Sequence, residues 1–184
     1  MFGGSIVAIV TPMHADGALD LPALGRLVEW QVEAGTAAVV VAGTTGESPC
    51  ISPDELDAMI RVALEAAAGR IGVIAGTGSN ATAHAVELTR IAAAAGAGAA
   101  LVVTPYYNKP TQEGLYRHYE AVAREGGLPV ILYNVPGRTA VDLLPETTAR
   151  LAEVTGVVAI KEAVPGPERA RRLRALCGDR LDLL

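Results

Sequence analysis

Residues 157–163 read VVAIKEA, a run of apolar residues that ends in Lys161 and Glu162. Its first four residues, apolar and mostly β-branched, are typical of a buried strand. Lysine, in contrast, is among the side chains least often fully buried. The lysine has two interpretations: a snorkelling side chain that reaches solvent, or a functional amine at the end of a core strand. The rest of the chain is needed to choose between them.

Short apolar runs of the same kind recur at a steady interval along the chain. They are rich in valine and isoleucine and continuous, which is expected for parallel strands covered on both faces. Six strands are predicted, at residues 5–10, 37–42, 71–75, 99–103, 128–133 and 156–160, and residues 181–184 (LDLL) resemble the start of a seventh.

Segments with helical patterns and capping residues lie between these strands. Asp20 and Pro22 are suited to open the first helix, and residues 52–55 (SPDE) form a capping box for the second. Asn80 is the predicted N-cap of the third helix, which should end at Gly96. Further predicted boundaries are Thr111 and Gly126 for the fourth helix, and Pro145 and Pro167 near the starts of the last two.

Strand and helix therefore alternate six times, with a repeat of about 30 residues, the size of a βα unit. A doubly wound sheet and a (βα)8 barrel both begin in this way. A barrel normally needs about 250 residues, so under that interpretation the 184-residue chain stops early. Residues 1–184 are expected to form one domain, because no linker or low-complexity segment marks a boundary.

The composition argues against several classes of partner. A net charge of −5 gives no electrostatic reason to expect nucleic acid or an anionic membrane surface. No apolar run is long enough to span a bilayer, and the three histidines are too scattered to predict a metal site. Isolated Cys50 and Cys177 and the lack of a basic signal-peptide region make the cytoplasm the expected compartment. The basic cluster at residues 169–174 is interpreted as a solvated helix face.

Polar segments follow the predicted strands. They are TPMHADG, GTTGES, GTGSN, TPYYN, YNVPGRT and KEAVPG, in chain order. In parallel α/β folds the carboxyl ends of the strands lie on one face, where active sites are found. Residues far apart in the chain then become neighbours, and this convergence predicts an enzyme.

Taken singly, these segments have structural explanations. GTGSN and GTTGES are sufficiently explained as tight turns. Arg138 alone would be a solvated charge, and a tyrosine at a strand end is usually a core residue whose hydroxyl reaches solvent. Tyr106 and Tyr107 point in opposite directions if their segment is extended, so they need not share a role.

Together these residues suit carbanion chemistry that requires no cofactor or metal. Burial disfavours the charged form of a lysine, so Lys161 in a partly desolvated barrel mouth is expected to be a neutral amine. Such an amine attacks a ketone to form a Schiff base, which acts as an electron sink. Tyr133, at the end of the preceding strand, is placed to shuttle protons. Thr44, Thr45 and Arg138 supply hydroxyls and a guanidinium fork for the carboxylate of an acidic substrate.

Considered as a set, GTTGES, TPYYN, YNVPGRT and IKEA make the chain resemble the 4-hydroxy-tetrahydrodipicolinate (dihydrodipicolinate) synthase family of the pyruvate-dependent class I aldolase superfamily. The resemblance covers residues 1–184; GTTGE is shared across the superfamily, whereas YNVPGRT and TPYYN point to the synthases. It implies a (βα)8 barrel and a homotetramer built as a dimer of dimers. The implied reaction, in lysine (diaminopimelate) biosynthesis, condenses pyruvate with L-aspartate 4-semialdehyde to 4-hydroxy-tetrahydrodipicolinate without a cofactor.

The resemblance also implies catalytic roles for four matching residues. Lys161 would form the Schiff base with pyruvate, and Tyr133 would be the phenol that transfers protons. Tyr133 would be linked through Thr44 to Tyr107, which in the family reaches in from the neighbouring subunit.

Two further residues are implied to bind substrate carboxylates: Thr45 that of pyruvate and Arg138 that of aspartate semialdehyde. An alternative is another aldolase of the superfamily, such as an N-acetylneuraminate or keto-deoxy-sugar acid lyase. It would keep Lys161 and Tyr133 but would not need Arg138 in this motif. A catalytically inert partial subunit is an alternative of a different class, because the barrel is incomplete.

The family continues beyond the last residue of this sequence, with a glycine-rich loop, an eighth strand and a C-terminal helical region. We therefore expect the 184 residues to be part of a longer natural chain and to lack some walls of the pocket. An unclosed barrel would also expose a sheet edge. The intact mass of the natural protein checks this expectation, and a mass that matches 184 residues would contradict it.

Members of the family that are inhibited by lysine bind it at the tight dimer interface. Asn80 and Tyr106 match that site, but Pro53 and Leu56 replace its usual histidines and His84 replaces its carboxylate. Without the carboxylate, the ammonium group of lysine loses its natural partner. We predict weak or absent inhibition by lysine. Strong inhibition at micromolar lysine in a steady-state assay would show this to be wrong.

Overall fold

The computed structural model describes residues 3–184, in which helices separate every pair of consecutive strands. The strands are β1 Ile6–Ala8, β2 Ala38–Val41, β3 Gly72–Gly76, β4 Ala99–Val103, β5 Val130–Asn134, β6 Val157–Glu162 and β7 Asp182–Leu183. The helices are α1 Leu21–Glu33, α2 Pro53–Ala67, α3 Thr82–Ala95, α4 Gln112–Glu125, α5 Pro136–Thr139, α6 Pro145–Leu151 and α7 Pro167–Cys177. Two 3₁₀ turns, Thr44–Gly46 and Ser48–Cys50, follow β2. Across these described residues, every helix is too short or too polar to cross a membrane.

The strands form one parallel sheet whose spatial order is the order of the chain, from β1 to β7. A doubly wound sheet reverses its strand order at a switch point. No reversal occurs within residues 3–184, where each strand pairs in parallel with the next one. Residues 3–184 therefore make up most of the wall of a (βα)8 barrel. The prediction of seven strands in this architecture is confirmed.

Both faces of the sheet are buried, which explains the continuous apolar sequences of its strands. Alternate side chains along a strand point to opposite faces. Val40, Ile74 and Leu101 belong to an inner cluster within the barrel wall. On β5, Ile131 also belongs to that inner cluster, whereas the next residue, Leu132, packs in the layer that faces the helices. Each strand thus presents one set of side chains to the barrel interior and another to the helices.

Three helices begin at the N-caps that the sequence predicts. Asp20, Ser52 and Thr111 each accept a hydrogen bond from the backbone N–H three residues later, at 2.8, 3.3 and 3.2 Å. Glu55 completes the capping box of α2, because its carboxylate accepts the Ser52 N–H at 2.8 Å. These bonds satisfy N–H groups of the first helical turn that have no partner within the helix.

Two local predictions are wrong. Asn80 is not the N-cap of α3: the cap position is Ala81, which has no side-chain acceptor, and Ser79 Oγ accepts the Ala81 N–H at 3.3 Å instead. The polar YNVPGRT segment, for which no helix is predicted, contains the one-turn helix α5. Pro136 occupies the first position of this turn, where its fixed φ suits a helix and its missing N–H costs nothing.

His118, on α4, is a buried imidazole in the helical layer. It is 3% exposed, and its Nδ1 lies 2.9 Å from Thr82 Oγ1 on α3. Its Nε2 has no hydrogen-bond partner among the described residues. Burial disfavours the charged imidazolium and lowers the pKa of His118 from 6.5 to about 4.

We predict that His118 makes the fold sensitive to acid. The unfolded chain binds the proton at the ordinary pKa and the folded chain does not. The resulting stabilisation is therefore present above a pH of about 6.5 and is lost as the pH falls toward about 4. From about pH 7 to pH 5, the free energy of unfolding should fall by about 2 kcal/mol through this group. Urea unfolding at both pH values measures the change.

The variant His118→Asn keeps a hydrogen-bonding group for Thr82 but does not titrate, so it should remove this part of the acid destabilisation. His84→Asn is the matched control, because His84 lies on the solvent-exposed surface of α3, where its side chain is 45% exposed. An undiminished acid destabilisation in folded His118→Asn would contradict the assignment.

Candidate active site

The parallel direction of the strands gathers the predicted site residues at one edge of the sheet, because all carboxyl ends meet there. The residues are Thr44 and Thr45 in the 3₁₀ turn after β2, Tyr107 after β4, Tyr133 on β5, Arg138 on α5, and Lys161 on β6.

Lys161 and Tyr133 are neighbours across the β5–β6 ladder. Their Cα atoms are register partners, and Lys161 Nζ lies 4.2 Å from the centroid of the Tyr133 ring. Tyr133 is 6% exposed and Lys161 is half-buried. The strand β6 extends through Glu162 instead of ending at Ile160 as predicted, so the ladder itself aligns the amine with the phenol ring.

An irregularity in this ladder decides which residue of β6 faces Tyr133. Val130 pairs with Val157, but the next residue of β5, Ile131, pairs with Ala159, so that Val158 is skipped. Without the extra residue, Tyr133 would be paired with Ile160 instead of Lys161. Bulges of this kind are frequent beside active sites, where they re-aim a side chain.

Lys161 lines a cavity on the inner face of the sheet. The cavity has a volume of about 150 Å³, and most of its wall is apolar, with Val40, Leu101 and Ile131 among the lining residues. This volume is roughly that of five liquid water molecules, so a small organic acid has room beside the amine.

Thr44 and Arg138 meet in a second cavity at the same edge of the sheet. Its volume is about 210 Å³, and Tyr106, Val135 and Thr139 also line it. A guanidinium fork beside hydroxyl groups is suited to bind a carboxylate. The structure therefore brings together two residues that the sequence analysis assigned to acid binding and proton relay.

Thr45 and Tyr107 lie outside both cavities. Thr45 is exposed, and Tyr107 is 87% exposed, with a φ of +72° that is strained for a bulky residue. The segment that contains Tyr106 and Tyr107 is not extended. The two side chains nevertheless have different surroundings, because Tyr106 lines the second cavity and Tyr107 faces solvent. In residues 3–184, no hydrogen bond joins the hydroxyls of Thr44, Tyr107 and Tyr133.

Further backbone strain lies in the loops at this edge. Five non-glycine residues with positive φ, from 49° to 72°, follow the carboxyl ends of β2, β4 and β5: Ala42, Glu47, Tyr107, Lys109 and Ala140. Each such conformation costs on the order of 1–3 kcal/mol and persists only where the surroundings enforce it. Strain of this kind clusters at functional sites, which agrees with the position of the two cavities.

The glycines of the GTGSN segment are explained by close packing between strands. A Cβ atom on Gly76 would lie 2.1 Å from Ala42 O, and one on Gly78 would lie 2.4 Å from Val103 N. Neither position accommodates a side chain without a shift of the backbone. The interpretation of this segment as a tight turn stays a prediction.

The groups at this edge that suit an organic acid are an amine, a guanidinium and hydroxyls. Across residues 3–184, His, Cys, Asp and Glu side chains form no group of three or more that could hold a metal ion.

The residues that correspond in sequence to the lysine-binding site of inhibited relatives lie in different environments in this structure. Leu56 on α2 is 2% exposed and belongs to the helical core, so it presents no side chain to a ligand. His84 is exposed on α3, with Nδ1 3.3 Å from Glu87 Oε2. Pro53 begins α2, and Tyr106 lines the second cavity.

One arginine of the basic cluster is not on a solvated face, which corrects the interpretation of residues 169–174. The other three arginines of the cluster are exposed, but the Arg169 side chain is only 14% exposed. It forms ion pairs with Asp142 and with Glu162, whose Oε2 lies 3.1 Å from Arg169 Nε. Helical periodicity identifies the face on which a charge lies, but not the carboxylates that another element places opposite it.

Comparison with known proteins identifies relatives over the full sequence. The model of the dihydrodipicolinate synthetase family matches residues 1–184. The 4-hydroxy-tetrahydrodipicolinate synthase of Nitrosococcus oceani is 58% identical over 183 residues, which are 100% of this chain and 63% of that protein. The enzyme of the same name from Methylococcus capsulatus is 60% identical over 177 residues, 96% of this chain and 61% of that protein.

Solved structures agree with these matches. A dihydrodipicolinate synthase from Aquifex aeolicus has a TM-score of 0.95 at 48% identity and covers 100% of this chain and 62% of its own. A chloride-inhibited dihydrodipicolinate synthase from Acinetobacter baumannii, complexed with pyruvate, has a TM-score of 0.95 at 52% identity, over 98% of this chain and 62% of its own. The chain thus spans 61–63% of the length of these relatives. On its sequence and its fold, the chain belongs to the dihydrodipicolinate synthetase family.

Proposed function

We propose that this protein is a lyase that condenses pyruvate with L-aspartate 4-semialdehyde to 4-hydroxy-tetrahydrodipicolinate, in lysine (diaminopimelate) biosynthesis. The observation that carries the proposal is the Lys161 amine, 4.2 Å from the centroid of the Tyr133 ring, on a residue that lines a largely apolar cavity. Membership of the family and the names of the relatives support the choice of reaction.

In the first half of the reaction, the lone pair of Lys161 Nζ attacks C2 of pyruvate and forms a C–N bond. The carbonyl oxygen takes up protons and leaves as water, which creates the imine. The imine withdraws electrons, so that a C3 proton departs and an enamine forms. Tyr133, with its ring beside Nζ, is the group that carries these protons.

In the second half, C3 of the enamine attacks the aldehyde carbon of the semialdehyde, and the aldehyde oxygen takes up a proton. The amino group of the semialdehyde then attacks C2 of the imine. The ring closes and the C–N bond to Lys161 breaks, which restores the free amine. The balance is one pyruvate and one semialdehyde converted to one cyclic product and one water.

Two groups are proposed to hold the substrate carboxylates. Thr45 would bind that of pyruvate, and Arg138 that of the semialdehyde. The second cavity supports the role of Arg138, because this residue lines the cavity together with Thr44 and Thr139. Arg138 also favours a synthase over an N-acetylneuraminate or keto-deoxy-sugar acid lyase, which would not need an arginine in this motif.

We also propose that the protein acts in the cytoplasm as a homotetramer, a dimer of dimers in which Tyr107 completes the site of a neighbouring subunit. The exposure of Tyr107, at 87%, supports this role, since the side chain is available to another protomer. It would then continue the proton path from Tyr133 through Thr44. Free Cys50 and Cys177 suit a reducing compartment.

Borohydride reduction in the presence of pyruvate tests the Schiff base. We expect the reduced pyruvate adduct on Lys161 and not on Lys109, and these are the only two lysines of the chain, so peptide mass mapping is unambiguous. Tyr133→Phe keeps the ring but removes the hydroxyl, and it should slow trapping by about 100-fold if the phenol carries the protons.

Lys109→Arg is the matched control, because it removes the other lysine and should leave the adduct unchanged. A folded wild-type chain that gives no adduct would favour the interpretation of an inert partial subunit. An adduct on Lys109 in place of Lys161 would refute the assignment of the nucleophile.

A further inference from the structure

The residues that directly follow Tyr133 and Lys161 form a polar cluster on the opposite face of the sheet. Side chains alternate between faces along a strand. Tyr133 belongs to the inner cluster, whereas Ile160, next to Lys161, packs in the layer that faces the helices. Asn134 and Glu162 therefore point toward the helices, away from the cavity that Lys161 lines.

The amide of Asn134 is the centre of this cluster. Asn134 is fully buried, and its Nδ2 donates to Asp142 Oδ1 at 2.8 Å and to Glu162 Oε1 at 3.0 Å. Its Oδ1 accepts the Leu143 N–H at 3.0 Å. The Asn134 side chain thus connects the end of β5, through hydrogen bonds, to the end of β6 and to the segment that precedes α6.

Arg169 on α7 supplies the positive charge of the cluster. Its Nε donates to Glu162 Oε2 at 3.1 Å, and its terminal nitrogen binds Asp142 and donates to Leu143 O at 3.3 Å. The Arg169 and Glu162 side chains are only 14% and 8% exposed. Charges this deeply buried are tolerated only when they are paired, and removal of one partner leaves the other uncompensated.

Backbone hydrogen bonds hold this end of β6 to both neighbouring strands. Lys161 and Glu162 are register partners of Tyr133 and Asn134 on β5, and the Glu162 N–H donates to Leu184 O at 3.1 Å on the side of β7. The polar cluster adds side-chain contacts directly after both Tyr133 and Lys161.

We propose that Arg169 and Glu162 are positioning residues that hold the Lys161 amine against the Tyr133 phenol. Without the Arg169 guanidinium, the carboxylates of Asp142 and Glu162 would both accept from the Asn134 amide with no positive charge between them. Their mutual repulsion would displace Asn134 and Glu162, the residues that directly follow Tyr133 and Lys161. The inference rests on the proposed Schiff-base function of Lys161, but it assigns new roles to residues on the far face of the sheet.

The test measures the rate of borohydride trapping of pyruvate on Lys161 as a function of pyruvate concentration. The variants are Arg169→Met, Glu162→Gln and the double variant, with circular dichroism as the check on folding. Arg172→Met is the matched control, because Arg172 lies on the same helix in an exposed ion pair with Glu146.

We expect Arg169→Met to lower the maximal trapping rate about tenfold, since small misplacements of reacting groups are costly, while the half-saturating pyruvate concentration changes less than about twofold. The double variant should be no slower than the slower single variant, because both residues act through one contact. Arg172→Met should match the wild type. A purely structural role would lower the melting temperature but would leave the trapping rate of the folded protein unchanged.

A folded Arg169→Met that traps pyruvate at the wild-type rate overturns the inference and leaves the proposed function intact. Absence of an adduct in the wild type overturns both. If Arg169→Met does not fold, Glu162→Gln decides by the same criteria, because it removes the carboxylate charge that pairs with Arg169 but keeps the shape of the side chain.

Discussion

The parallel ladder between β5 and β6 is the constraint on which the candidate site depends. Parallel pairing places register partners on the same face of the sheet, and the skipped residue Val158 makes Lys161 the partner of Tyr133. With a regular ladder, the partner of Tyr133 would be Ile160, which instead packs toward the helices. A single extra residue in one strand therefore determines that the amine, and not an isoleucine, faces the phenol in the barrel interior.

The alternation of side chains couples two different environments at the ends of these strands. The inner face carries Lys161, which is half-buried and lines an apolar cavity, and the outer face carries Asn134, Glu162 and Arg169, which are largely buried, beside Asp142, whose side chain is 38% exposed. A buried charge such as that of Glu162 or Arg169 requires a partner. In the arrangement that we propose, the position of the amine on one face depends on this charge pairing on the other, because adjacent residues share one backbone.

The elements of this fold were largely predictable. Continuous valine- and isoleucine-rich runs located the first six strands, because burial on both faces leaves no polar alternation. The capping residues Asp20, Ser52 and Thr111 located three helix starts, since their hydrogen bonds are local. The prediction of Asn80 as the N-cap of α3 is wrong, because the neighbouring Ser79 side chain accepts the backbone N–H of Ala81 at the start of this helix. The helix α5 is not predicted, because a single turn is too short to show a helical periodicity of apolar residues.

The candidate site was predictable only in part. Lys161, Tyr133 and Arg138 were identifiable because each follows or ends an apolar strand, where parallel folds place their chemistry. Arg169 was misassigned to a solvated surface, since its partners Asp142 and Glu162 lie on other elements.

The amino-acid sequence by itself determined the strand and helix order, the edge at which polar residues gather, and the position of the candidate amine Lys161 near the end of a strand, because these depend on local pattern and strand direction. Only the tertiary structure decided which side chains meet: the irregular β5–β6 register that pairs Tyr133 with Lys161, the separate cavity that joins Thr44 to Arg138, and the buried position of Arg169. The physical reason is that register, close packing and charge pairing act between segments that are distant in the chain. The local sequence around a residue does not identify the distant residue that it contacts.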